Sequence, residues 1–333
     1  MKNKTFIIAE MACSHDGSAR LARKIIDGAG SSNADAIQLQ IWSAKDMMTP
    51  DRKEFKTLEL IELSFPKWQS LINYSKSKYP KMKVYVCVYE NGTLNKIKSL
   101  KKVDGFKINS SDLSNNDLLK EIGKTNKQIN LSIGASTSDE IRNAIKVLKK
   151  YSKSKIALLY GFQSFPTKSS ELNLNLIKLL IKKFNLQLGY QDHSAGETDE
   201  GYWLPAFAMG IGATIIEKHI THDRDKKGLD FESALNASEF KEFTSMIHLL
   251  DESRGKGIFR NFIKSEIEYR KFQKKTIVAR HDICKGEKFS KRDFLFLRAK
   301  KLVFQPNEVG KLVNKTVKRN IKKFQVIEKK DFT

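Results

Sequence analysis

Short apolar runs recur along the first 220 positions, and most are followed by a segment whose apolar residues return every three or four places. The runs are TFIIAE (5–10), DAIQLQ (35–40), KVYVCV (83–88), DGFKIN (104–109), QINLSI (128–133), KIALLYG (155–161), LQLGYQ (186–191) and ATIIEK (213–218). They predict buried strands. The intervening segments predict helices: ARLARKIIDGAGSS, FPKWQSLINYSKS, LNKIKSLKK, NDLLKEIGK, SDEIRNAIKVLKKY, LNLIKLLIKKF, DEGYWLPAFAMG and SEFKEFTSMIHLLDES. Ile141, Ala144, Ile145 and Leu148 show the spacing, one stripe facing a core. Strand and helix in strict alternation imply a parallel sheet, and eight units over about 250 residues imply a closed (β/α)8 barrel. An open doubly wound sheet would normally carry a glycine-rich phosphate loop after its first strand, and EMACSHDGSA is not G-x-G-x-x-G.

Beyond Asp251 the pattern changes, so residues 1–251 are read as the barrel. Residues 252–274 are polar, basic and weakly helical and read as a linker. Residues 275–333 read as short strands and turns with an internal echo, DICKGEKFSKRDF (282–294) against NIKKFQVIEKKDF (320–332). That echo suggests a small β-rich domain with two equivalent halves.

The composition, 40% apolar and 30% charged, is that of a globular protein. No apolar stretch approaches the roughly 20 residues needed to span a bilayer. Glu10 interrupts the N-terminal apolar run too early for a signal core. Cys13, Cys87 and Cys284 lie far apart without a CxxC pair, which fits a reducing cytoplasm. The net charge of +23 is mostly Lys on the polar faces of amphipathic segments. It reads as a solvated surface first and a field for anionic substrates second. No nucleic-acid-binding module accompanies it, and neither nucleic acid nor membrane is expected as a partner.

In a barrel, residues just past the C-terminal ends of the strands share the rim that carries chemistry. This chain places there Glu10, Gln38 with Gln40, Lys107 with Ser110 and Asp112, Ser132, Gln163, Gln191 to His193, and Glu217 with His219. A lone histidine after a strand is often a hydrogen-bonded loop residue. Two of them on successive strand ends leave metal binding and simple hydrogen bonding equally open. Lys107, between Phe106 and Ile108, must reach solvent or an anion, and Glu10 after FIIA poses the same problem with the opposite sign. His15 is placed to support the site and His222 to stand behind it, while His248 and His281 read as structural.

IIAEMACSHDG, FKINSSDL, LSIGAS, LYGFQSFPT, GYQDHSAG and IIEKHITHDRDKKGLDFESAL, in this order, resemble the N-acetylneuraminate (sialic acid) synthase family. In that family a (β/α)8 barrel is followed by a small antifreeze-like (SAF) domain. The resemblance implies an enzyme that joins phosphoenolpyruvate to the open-chain aldehyde of an N-acylated aminosugar, giving a sialic-acid-like 2-keto acid and phosphate. It implies that His193 and His219 hold a divalent metal, Mn2+ first with Mg2+ or Co2+ as alternatives, which polarises the aldehyde oxygen. Glu10 would orient the water that attacks C2. Lys107, Ser110 and Ser132 match phosphoenolpyruvate binders, and Gln40, Asp112, Phe165 and Asp230 match sugar contacts. Arg298 matches an arginine that reaches a partner's sugar site, which implies a domain-swapped homodimer. Gln38 replaces a lysine of the family pattern, Val88 a threonine, Gln163 an asparagine, Gln191 a serine, Asp112 a glutamate and Phe165 a tyrosine, and RAKK replaces Arg-Pro-Gly around Arg298. The metal pair and Glu10 are kept, so the chemistry is expected to persist while the acceptor sugar stays open. A related synthase acting on another aldose and a silent sugar-binding homologue are the competing readings.

Overall fold

The structure is a computed structural model that describes residues 4–162, 164–255, 257–259 and 261–332. Eight parallel strands pair in chain order: β1 Phe6–Glu10, β2 Ala36–Ile41, β3 Lys83–Val88, β4 Gly105–Ile108, β5 Gln128–Ser132, β6 Ile156–Tyr160, β7 Gln187–Asp192 and β8 Ile215–Ile220. The sheet closes where β1 meets β8 in the register Phe6↔Ile215 to Glu10↔His219. A two-residue strand, β9 Ala234–Leu235, adds to the end of β8 opposite His219 and Ile220.

The two-residue side-chain period of a strand divides each one between two environments. One face packs outward against the helices, and Ile7, Ala9, Ile37, Leu39, Val84 and Ile216 belong to that large core together with the helical residues Ile25, Leu148 and Phe240. The other face fills the barrel. At its floor Ile8, Ala36, Tyr85, Ala157, Leu159 and Ile215 form a separate apolar plug. Two residues further along the same faces come Glu10, Gln38 and Glu217, so a polar layer rests directly on the plug. Gly189 keeps the floor passable to its neighbour: a Cβ there would lie 2.5 Å from Leu159 Cδ2.

The covering helices are α1 Ala19–Ser31, α2 Ala44–Met47, α3 Phe55–Ile61, α4 Phe65–Lys78, α5 Asn91–Ile97, α6 Asn116–Lys124, α7 Ser138–Tyr151, α8 Leu176–Phe184, α9 Glu200–Gly210 and α10 Ala237–Arg254. Their starts follow from capping chemistry. Thr137 accepts from the Glu140 N–H while Glu140 accepts from the Thr137 N–H, and at the start of α10 Glu239 accepts from the Asn236 N–H at 2.7 Å. The short helices α2 and α3, absent from the sequence pattern, fold the segment after β2 into a small apolar cluster around Trp42, Ala44, Phe55 and Ile61. No helix among the described residues is long and apolar enough to cross a membrane.

The chain divides into two compact units, Met1–Lys256 and Gly257–Thr333. The second begins with a helix, α11 Lys264–Gln273, followed by the antiparallel pair β10 Lys275–Ala279 and β11 Phe294–Arg298. Its core gathers Ile277, Phe289, Phe294, Leu312, Ile321 and Ile327. The two echoing segments meet there: Ile283 and Ile321 exchange backbone hydrogen bonds of 2.9 Å in each direction. Each segment also ends on the same local device, an aspartate accepting from the N–H three residues earlier, Asp293 from Ser290 at 2.6 Å and Asp331 from Glu328 at 2.7 Å.

Candidate active site

The polar layer inside the barrel is one connected network. Lys107 Nζ, from β4, donates to Glu217 Oε1 at 2.6 Å and to Glu10 Oε2 at 3.3 Å. Gln38 Nε2 bridges the same two acids, donating to Glu10 Oε2 and, at 3.0 Å, to Glu217 Oε2. Gln191 Nε2 donates to Glu217 Oε1 at 2.9 Å while its Oε1 accepts from Ser132 Oγ at 2.7 Å. The Ala12 N–H reaches Glu10 Oε1 at 2.8 Å. All six side chains are buried.

Two carboxylates thus share one ammonium. Burial pushes the Glu10 carboxyl up, Lys107 pulls it down and the neighbouring Glu217 pushes it up again, leaving it at about 7. Burial pushes Glu217 up as well, but Lys107 overcomes this and leaves its carboxyl below the ordinary value. Lys107 loses charge stability to burial and regains more from Glu217 and Glu10, so it stays protonated. A glutamate poised near neutrality beside a fixed cation is suited to accept or deliver a proton.

The two histidines stand at the ends of β7 and β8. Their rings are perpendicular, 86° apart with centroids separated by 5.2 Å. Burial lowers the pKa of both. For His193 the Phe162 carbonyl offsets this only in part, and for His219 the positive fields of His193, Lys107 and Lys218 add to it. Both are therefore neutral imidazoles at neutral pH. His193 Nδ1 lies 2.7 Å from the Phe162 carbonyl oxygen, which only accepts, so Nδ1 carries the proton and Nε2 keeps a bare lone pair. His219 Nδ1 and Gln38 Oε1 are buried without a hydrogen-bond partner. Buried polar atoms in that condition call for a partner, which a water, an ion or a ligand can supply. Among the described residues no three His, Cys, Asp or Glu side chains converge as a complete metal cage. An ion on this pair would take its other positions from oxygen atoms of water or substrate.

On the outward face of the same strand ends lies a buried ion pair. Lys218 Nζ donates to Asp192 Oδ2 at 2.5 Å and to the Ser194 carbonyl at 3.2 Å. Asp192 also accepts from Tyr190 and Ser194 hydroxyls, both at 2.9 Å to Oδ1. His193 and His219 are the chain neighbours of Asp192 and Lys218, so the pair ties together the two strand ends that carry the imidazoles.

Outside the network a cavity of about 770 Å³ opens past Phe165, whose ring lies 4.4 Å from that of His193. The strand ends give it polar lining: Gln40, which accepts from Tyr89 Oη at 2.7 Å, together with Asn109 and Asp112. Asp112 accepts from Asn115 and Ser111, and burial raises its carboxyl. Ser110 lies in the 3-10 turn Ser110–Asp112, half-buried, with its hydroxyl 3.5 Å from Asn109 Oδ1. Asp230, in the left-handed region at φ 60°, accepts from the Cys13 N–H at 2.8 Å, and burial raises its carboxyl too. Gly228 lies so close to Asp16 that a Cβ would meet its Oδ2 at 2.3 Å, and Asp16 also accepts from the Leu229 N–H at 3.0 Å. These contacts dock the loop after β8 on the loop after β1. His15, buried and stacked on Trp42 at 5.9 Å, supports the cavity wall, and burial lowers its pKa to about 4.

The barrel therefore brings together Glu10, Gln38, Lys107, Ser132, Gln191, His193 and His219, with Gln40, Asp112 and Phe165 on the adjoining cavity. Gln163 lies outside the described residues, and Arg298 belongs to the second unit, at the end of β11. Two groups carry more than the sequence suggests. Glu217, the strongest partner of Lys107, shares a strand face with His219 by being two residues away, which is a legible signal. The Asp192–Lys218 pair has no such signal.

The sequence pattern of the NeuB family matches residues 25–259. An N,N'-diacetyllegionaminic acid synthase of Campylobacter jejuni is 32% identical over 303 residues, covering 86% of this chain and 88% of that protein. A pseudaminic acid synthase of the same organism is 26% identical over 344 residues, covering 99% and 97%. Among solved structures, an N-acetylneuraminic acid (sialic acid) synthetase from Leptospira borgpetersenii superposes with a TM-score of 0.74 at 30% identity, over 81% of this chain and 92% of that one.

Proposed function

From the premise that this chain belongs to the NeuB family, we propose that it condenses phosphoenolpyruvate with an N-acylated aminosugar aldehyde, giving a sialic-acid-like nonulosonic acid and phosphate. The observation that carries the reading is the vertical order of the site: an apolar plug, a polar layer holding Glu10 and Lys107, then two neutral imidazoles opening on a sugar-sized cavity. In the reaction C3 of phosphoenolpyruvate bonds to the aldehyde carbon, water adds to C2, and the C2–O bond to phosphate breaks. Glu10, with its carboxyl near neutrality, takes the proton from that water at Oε1 or Oε2 and can return it to the leaving side. Lys107 and the Ser132 hydroxyl orient the anionic partner. Gln40, Asp112 and Asp230 hold hydroxyl and amide groups of the sugar. His193 and His219 would hold a divalent ion, Mn2+, Mg2+ or Co2+, which supplies Lewis-acid polarisation of the aldehyde oxygen when bound.

The second unit is proposed as an antifreeze-like domain of residues 275–333 after a linker of 252–274. Its paired repeats support this. Arg298 is assigned to a partner's sugar site in a domain-swapped homodimer. A cytoplasmic setting accords with three unpaired cysteines. Phosphate release from phosphoenolpyruvate, with Mn2+ and a panel of mannosamine-type and diacylamino aldoses, tests the reading. Aldose-dependent release paired with a 2-keto acid supports it, and its absence across the panel overturns it. A sugar-binding homologue without turnover would then be favoured by Gln38, which places an amide on Glu10 and Glu217 instead of a second cation, and by Val88, which brings no hydroxyl.

A further inference from the structure

By the two-residue period of a strand, the inward face of β3 carries Tyr85, Cys87 and, one residue past the strand end, Tyr89. Tyr85 belongs to the plug, so Tyr89 stands at the level of the rim. The parallel register of β2 and β3 sets Gln40 against Cys87, and the Tyr89 hydroxyl donates to Gln40 Oε1 at 2.7 Å. Both side chains line the cavity. The tyrosine ring packs on the cluster of Trp42, Phe55 and Ile61, which fixes where its hydroxyl stands. That hydroxyl also meets the buried Cys87 thiol, which burial pushes up to about 12. A thiol that keeps its proton donates, so the hydroxyl passes its own proton to Gln40. A carboxamide has one accepting end and one donating end, and its last torsion is broad and nearly two-fold. Unpinned, the two ends exchange at little cost. With Oε1 held by the tyrosine, Nε2 is the end left for the cavity, and no side-chain or backbone acceptor among the described residues meets it.

We propose that Tyr89 is a positioning residue that locks the Gln40 carboxamide with its NH2 toward the cavity, so that position 40 selects an accepting oxygen of the sugar. The tyrosine acts through Gln40 and not through the reacting atoms. Its contribution is to remove in advance the alternative in which the amide turns its carbonyl to the cavity, a cost that binding would otherwise have to meet. The inference rests on the synthase reading above and adds to that site a residue whose effect is confined to one end of the acceptor.

The test is a double-mutant cycle on the full-length protein with phosphoenolpyruvate, Mn2+ and whichever aldose of the panel above releases most phosphate. Tyr89→Phe keeps the ring and its packing and removes only the hydroxyl. It should raise KM for the aldose by about two- to tenfold, the worth of one neutral hydrogen bond, and leave KM for phosphoenolpyruvate within about twofold. Gln40→Ala should raise the aldose KM as well, and in that background Tyr89→Phe should add less than about 1.5-fold, because its effect runs through the amide. Gln40→Glu decides the polarity: it still accepts from Tyr89 but turns an oxygen to the cavity, and the aldose KM should rise by about tenfold or more. Additive effects of Tyr89→Phe and Gln40→Ala, a rise in both KM values together, or a glutamate at 40 tolerated within about twofold overturns the proposal. If no aldose turns over, the synthase reading has failed on its own. The same cycle read by calorimetric binding of 2-acetamido-2-deoxy-mannitol then decides: affinity lost on Tyr89→Phe and not lost again in Gln40→Ala upholds the proposal, while equal binding throughout, or none by wild type, overturns it.

Discussion

Gln38→Lys restores to the polar layer the cation that the amide replaces, and the network sets the size of the effect. In the native site two carboxylates share Lys107, 3.3 Å from Glu10 and 2.6 Å from Glu217, while Gln38 adds only neutral donors. A hydrogen bond to a charged partner contributes about 1.5–3 kcal/mol and a neutral one about 0.5–1.5. Exchanging amide for ammonium therefore favours the ionised carboxylates by about 1–2 kcal/mol, roughly one pKa unit, less the cost of desolvating the new charge. With the Glu10 carboxyl at about 7, kcat/KM of the native enzyme should rise as pH climbs through that value. In the variant the rise should come about one unit lower, and KM for phosphoenolpyruvate should fall. Stability carries the same sign. Between the ordinary 4.5 and about 7 the folded chain holds a proton on Glu10 that the unfolded chain releases. Stability from this group therefore declines as pH rises through that window, and Gln38→Lys should flatten the decline. Phosphate release and melting temperature measured from about pH 5 to 9 read both effects. An acidic limb that stays near neutrality in a stably folded variant would refute the claim that burial and Glu217, offset only in part by the shared ammonium, hold the Glu10 carboxyl there.

His193→Ala and His219→Ala should each lose the divalent ion and turnover while melting near the native temperature, since both rings lie above the plug; unchanged metal content in both variants refutes their assignment as ligands. Lys218→Met strands the buried Asp192 carboxylate and should cost about 3–5 kcal/mol, or about 6–20 °C in melting temperature for a unit of this size. Adding Asp192→Asn should recover much of that loss, and simple additivity of the two changes would show that they are not a pair. Mixing full-length Glu10→Ala with full-length Arg298→Ala should restore partial activity once subunits exchange, because one site of the heterodimer then carries neither defect. Inactivity despite verified exchange places Arg298's action within its own chain or removes it.

The strands were legible because the stretch of each that lies between plug and helices is apolar on both faces, with the polar positions gathered mainly toward the C-terminal ends, and all eight runs fall on ladder strands. Their ends were less so: ATIIEK reads as strand over 213–218, whereas the ladder begins at Ile215 and continues through His219 to Ile220. Helices α2 and α3, of 4 and 7 residues, complete at most two turns and leave no stripe to detect. Glu10, Lys107 and the two histidines announced themselves by being polar in apolar company. Their partnerships did not, since Lys107 and Glu217 are far apart in sequence and meet only when the barrel closes. Trp42, Met47 and Met48, which line the cavity after β2, carried no signal of that place in the sequence.

The Asp192–Lys218 pair faces away from the chemistry, with Lys218 Nζ 3.2 Å from the place a Cβ on Gly201 of α9 would occupy. Residues that choose ligands and residues that hold the strand ends thus alternate along the same two strands and never share a side. The inward glutamine at 191 and the outward Asp192 next to it make no hydrogen bond to a common side chain, so a change at the first leaves the brace behind the imidazoles its own partners. Such a barrel can change what it accepts while keeping where its reaction happens, and a lineage built on it can diversify its sugars one inward residue at a time.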